Sequence, residues 1–79
     1  MTVNNISVFP NPSTGLFTLQ NLENVNTIEV YDMAGKLIHQ SVATQATTTI
    51  DLGGKEQGIY FYKIIQGAAV VQQGKLAVM

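Results

Sequence analysis

Cysteine, tryptophan and arginine are all absent from this chain, and only 11% of its residues are charged. Without cysteine there is neither a disulfide scaffold nor a cysteine-ligated zinc site. The four cations are lysines scattered at Lys36, Lys55, Lys63 and Lys75. Nucleic-acid binding draws on clustered cations facing phosphates, so no nucleic-acid partner is expected. A polybasic membrane patch is excluded on the same ground. Apolar runs stop at strand length, as in Ile59–Tyr62. A membrane-spanning helix needs ~18 apolar residues, so no direct membrane insertion is expected. The opening "MTVNNISVF" has neither the basic nor the apolar part of a signal peptide. If the protein is exported, that signal is expected on a larger precursor.

The apolar share is 46% of 79 residues, the opposite of a disordered composition. One domain, residues 1–79, is expected. Chains of this size bury only about 60% of their unfolded surface. Helical periodicity is poor and β-branched residues are frequent. Turn residues recur roughly every eight to twelve positions, the pattern of a sandwich or barrel.

Seven strands are expected, over 5–9, 16–20, 27–31, 36–41, 47–52, 59–66 and 70–78. In the first, Ile6 and Val8 share a face and Phe9 opposes them. "PNPSTG" (10–15) then reverses the chain: its prolines fix φ, Asn11 is held extended before Pro12, and Gly15 supplies a permissive position. "DMAG" (32–35) forms a tight turn between the third and fourth strands. "VATQAT" reads as a loop. The sixth strand puts Tyr60, Tyr62 and Ile64 in the core, and Lys63 reaches solvent along its stem. Gly74 suggests a bulge in the seventh, where Leu76 and Val78 face inward. Together these predict an all-β, seven-stranded, immunoglobulin-like antiparallel β-sandwich. Tyr60 stands where a tyrosine corner would, or is simply a core tyrosine. Unpaired strand edges leave self-association open.

Catalytic constellations are sparse. His39 is the single histidine. Ser41 shares its strand face, but a hydrolytic site also needs an orienting carboxylate and an oxyanion site. No catalytic residue is assigned. Glu23, Glu29, Asp32, Asp51 and Glu56 lack any calcium-loop spacing. Asn11 and Asp32 could contribute to a calcium site but read more simply as turn residues. Gly53, Gly54 and Gly58 precede no helix, so they form no phosphate loop. No metal or cofactor is expected. Phe61 and Tyr31 are the candidate platforms for a sugar.

Five pieces then fall in order along the chain: "VFPNPSTGLFTL" (8–19), "IEVYDMAGKLIHQ" (28–40), "IDL" (50–52), "GIYFYKI" (58–64) and "GKLAV" (74–78). In this order and spacing the chain resembles the type A C-terminal sorting domains of the type IX secretion system of the Bacteroidetes. The resemblance implies a signal at the end of secreted cargo, recognised in the periplasm by outer-membrane machinery. A sortase-like peptidase then usually removes it, leaving the cargo at the cell surface or outside the cell. The domain would be that enzyme's substrate and not itself an enzyme. By position, the resemblance assigns recognition to Pro10, Asn11, Pro12, Gly35, Lys36, Gly58, Tyr60, Gly74, Lys75 and Leu76. Many members end in a basic residue where Met79 stands here. The alternative is a fibronectin-like or carbohydrate-binding accessory module of a secreted enzyme.

Overall fold

The computed structural model describes residues 6–24 and 26–79. It contains seven strands: β1 (Ser7–Phe9), β2 (Leu16–Gln20), β3 (Asn26–Tyr31), β4 (Leu37–Ala43), β5 (Thr47–Asp51), β6 (Gly58–Gln66) and β7 (Ala69–Val78). There is no helix among the described residues. The strands form two antiparallel sheets, one of three strands in the order β1-β2-β5 and one of four in the order β4-β3-β6-β7.

Period-two alternation decides which side chains are buried. In β2, Phe17 and Leu19 are fully buried between exposed Leu16 and Gln20. In β3, Ile28 and Val30 are buried, and in β6 Tyr60, Tyr62 and Ile64 are. Ile50, Leu52, Leu76 and Val78 complete the set, and residues of both sheets belong to one buried cluster. Ile6 and Val8 lie on that core while Phe9 is exposed, as the alternation in the first strand predicts.

The turns follow their residues. Asp32 Oδ1 accepts the amide protons of Ala34 and Lys36, and Gly35 takes a φ of 86° where a side chain would be strained. Gly15 is required for a second reason. A Cβ there would stand 2.6 Å from the Gly53 Cα, where the β1–β2 connection crosses the end of β5. Gly67, with a φ of 59°, opens a two-residue hairpin joining Gln66 to Ala69.

Three expectations change. β4 runs on through Val42 and Ala43, because these pair with Thr27 and Asn26 and Ala43 enters the core. The bulge in β7 is not at Gly74. The register slips at Val71, between the Ile64↔Gln72 and Ile65↔Val70 pairs. Gly74 instead lies under the Tyr62 ring, whose Cε2 would be 2.9 Å from an added Cβ. Finally, the Lys63 ammonium does not simply reach solvent but sits 5.3 Å from the centre of the Tyr31 ring. The expected start of the first strand, Asn5, lies outside the described residues.

Candidate functional site

The segment after β1 turns away from its own sheet and lies along β7. Ser13 N–H donates to the Ala77 carbonyl (2.9 Å), and Met79 N–H donates to the Ser13 carbonyl (2.8 Å). These bonds make a short parallel bridge between Ser13 and Val78. Two residues earlier, a side chain does the same work. Asn11 Nδ2 donates to the Lys75 carbonyl (2.8 Å), and Asn11 Oδ1 accepts from Ala77 N–H (3.0 Å). A carboxamide carries one donor arm and one acceptor, as a peptide unit does, so Asn11 pairs with β7 as a strand residue would. Proline on both sides explains why a side chain is needed: Pro10 and Pro12 have no N–H to offer. Both X–Pro bonds are cis.

Ser13 is nearly fully buried, and its hydroxyl ties the turn internally. It donates to the Leu16 carbonyl (2.6 Å) and accepts from Gly15 N–H (3.1 Å). Further along β7, Gln72 repeats the device of Asn11. Its carboxamide accepts from Ile6 N–H (3.2 Å) and donates to the Ile6 carbonyl (2.8 Å) and to Tyr62 Oη (3.0 Å). The outer edge of β7 is thus paired at Lys75, Ala77 and Met79, which removes the hazard of an open edge there, while the Gln72 side chain satisfies the Ile6 backbone.

The residues named from sequence gather at one end of the molecule. Asn11, between Pro10 and Pro12, is bonded to Lys75, which stands between Gly74 and Leu76 in β7. β6 and β7 pair Gly58 with Val78 and Tyr60 with Leu76, which brings the Gly58–Tyr60 stretch beside that seam. The turn carrying Gly35 and Lys36 closes the same end of the four-stranded sheet, since Tyr31 pairs with both Leu37 and Phe61. A hollow of about 260 Å³ separates this turn from Gly58 and Tyr60. Exposure divides the set. Pro10, Asn11, Pro12, Gly35, Lys36, Gly58 and Lys75 are exposed, whereas Tyr60 and Leu76 are buried. Tyr60 Oη donates to the Glu56 carbonyl four residues upstream, the bond a tyrosine corner makes.

The remaining candidate chemistry is accounted for locally. His39 Nε2 and Ser41 Oγ are 3.1 Å apart, and no carboxylate completes a triad with them among the described residues. No group of three metal-ligating side chains occurs among those residues. Asn11 Oδ1 is engaged by Ala77 N–H in β7, and Asp32 Oδ1 by the amides of its own turn. Tyr31 is a poor sugar platform, since Lys63 lies over its ring and its hydroxyl donates to Glu29 Oε1. That bond, with partial burial and the carboxylate's charge, raises the Tyr31 pKa above 10.0.

Residues 7–79 match the family described as the secretion system C-terminal sorting domain. The chain belongs to this family. It is therefore a sorting domain of the type IX secretion system, a family of signals for surface or extracellular delivery and not of enzymes. A search of the curated proteins finds no match.

Ser13 and Gln72 were not singled out from sequence. Gln72 carried a signal: it shares the inward face with Leu76 and Val78, where a polar side chain needs a partner. Ser13 carried none beyond its place in a turn.

Proposed function

We propose that the type IX outer-membrane machinery reads this domain, folded, through the end where the proline turn meets β7. The observation that carries this reading is the Asn11 carboxamide joined to Lys75 and Ala77. It welds two sorting-domain motifs, over sixty residues apart in sequence, into one exposed and rigid surface. A signal recognised on a folded protein needs fixed backbone, because ordering a mobile segment on binding costs affinity. In this role residues 1–79 act as one domain at the end of a cargo that crosses the periplasm. A sortase-like peptidase then cuts upstream of it. Strand order and the Tyr60–Glu56 bond support an immunoglobulin-like sandwich as the scaffold. The β4 edge is one side available for self-association.

The test is transport. Residues 1–79 with an upstream linker are fused behind a fluorescent protein carrying a signal peptide. The fusion is expressed in cells with the machinery and in cells lacking it. Fluorescence outside the first and trapped in the periplasm of the second is expected. Equal retention in both, with the domain folded, would refute the reading.

A further inference from the structure

The outer face of the four-stranded sheet, opposite the core, has a defined pattern. Register places Leu37, Tyr31, Phe61 and Lys75 in one row across β4-β3-β6-β7, and Gln40, Glu29, Lys63 and Gln73 in the next. Residues opposed on neighbouring strands share a face and lie within side-chain reach. Two hollows flank the ridge made by Phe61 and Lys63. One, of about 400 Å³, is walled by Phe61, Lys63, Gln73 and Lys75. The other, of about 340 Å³, lies between that ridge and the turn after β3. Phe61 is 38% exposed, and Leu37 and Ile59 add apolar surface beside it.

The charges on this face are unequal in their commitments. Glu29 accepts from Tyr31 Oη with one oxygen and from Gln40 Nε2 (3.2 Å) with the other. Asp32 is held by the amides of its own turn. The lysines differ: no ion pair joins Lys63 or Lys75 to a carboxylate among the described residues. The large hollow is thus walled by Lys63, Lys75, one carboxamide and an aromatic edge, with no carboxylate in its lining; the Lys63 ammonium rests over the Tyr31 ring, and Glu29, opposite Lys63 on β3, has both oxygens engaged.

We propose that this face docks an extended acidic segment of a protein partner, laid across β6, with a carboxylate between Lys63 and Lys75 and an apolar side chain against Phe61. Charge complementarity selects the acidic partner. The two hollows on either side of one ridge select an extended chain, whose alternate side chains point the same way about 6.6 Å apart. The proposal rests on the reading that the domain docks on protein machinery, and adds a second contact area, adjoining the proline-turn end at Lys75, and its chemistry.

The probe is a short fluorescein-labelled peptide of alternating Glu and Leu, titrated by anisotropy and by amide chemical shifts of the intact domain. A peptide with Gln for Glu and vesicles containing phosphatidylglycerol are run beside it. The acidic peptide is expected to bind, with shifts centred on Phe61, Lys63, Gln73 and Lys75. The Lys63→Gln/Lys75→Gln double variant should lose about tenfold in affinity, and added salt should weaken binding. Phe61→Ser should weaken it as well. If that variant does not fold, the lysine pair, being on the surface, carries the test. Equal binding of the Gln peptide, an unaffected double variant, shifts centred on β4, or binding to vesicles alone would each overturn the proposal, as would no binding at all. Loss of transport with intact peptide binding would strike the sorting role instead and leave this surface standing.

Discussion

Asn11→Ala removes the side chain that stands in for a strand residue, and its cost can be worked from two bonds. Nδ2 to the Lys75 carbonyl and Ala77 N–H to Oδ1 are both well formed, at 2.8 and 3.0 Å, and both are exposed. A net protein hydrogen bond is worth about 0.5–1.5 kcal/mol, and exposed groups regain part of it from water. The expected loss is therefore about 1–2 kcal/mol, read as a lower urea midpoint at unchanged slope. The effect should also be local. Exchange of the Ala77 amide, which Asn11 shields directly, should speed up by about five- to thirty-fold, the factor matching that energy. Asn11→Asp sharpens the test. It keeps the acceptor for Ala77 but turns an oxygen toward the Lys75 carbonyl, so it should not restore the wild-type midpoint. A loss under about 0.3 kcal/mol with unchanged Ala77 exchange would refute the role of Asn11 as a strand surrogate.

Tyr60→Ala empties a buried site and breaks the bond to the Glu56 carbonyl, and should cost about 3–5 kcal/mol in a urea melt; under about 1 kcal/mol would misplace the core of β6. Gly74→Ala drives a methyl into the Tyr62 ring and should cost about 1–3 kcal/mol, with the Tyr62–Gln72 bond disturbed in NMR spectra; a neutral substitution would contradict that packing. Tyr31 should ionise above 10.0, since the phenolate loses its bond to Glu29 and faces that carboxylate's charge. Its contribution to stability is thus complete below the unfolded pKa and is lost as pH rises through the folded one. Alkaline absorbance titration against Tyr31→Phe isolates it. Glu29→Gln should bring the value down, and an unshifted Tyr31 in the parent protein would contradict the geometry.

Most of the fold was legible because it rests on local rules. β2 lies where alternation puts it, after the permissive Gly15. Asp32 and Gly35 marked the hairpin by turn chemistry alone. The ends of β4 were less legible, since Val42 and Ala43 are fixed by pairing with Thr27 and Asn26, a long-range fact. Gly74 misled for a similar reason. A glycine in a strand signals either a bulge or a close approach, and only the partner strand, with Tyr62 opposite, decides between them. The site divides in the same way. Its residues were nameable from the ordered motifs, but nothing local says that Asn11 would bind Lys75 and Ala77. Alternation did place Tyr60 and Leu76 inward, as they are, but it could not show that Pro10, Asn11, Lys36 and Lys75 are exposed together at that one end.

The most direct test of the sorting surface compares two variants of similar stability at opposite ends of the four-stranded sheet. Asn11→Ala opens the seam. Gly67→Ala strains the far β6–β7 hairpin, where alanine at positive φ costs about 1 kcal/mol. Both are fused behind the exported fluorescent reporter, and the fraction reaching the medium is measured after both domains are shown to be folded. Export should fall sharply for Asn11→Ala and stay near the parent level for Gly67→Ala. Equal export of the two, or a greater loss for Gly67→Ala, would contradict recognition at the end built by Asn11 and β7.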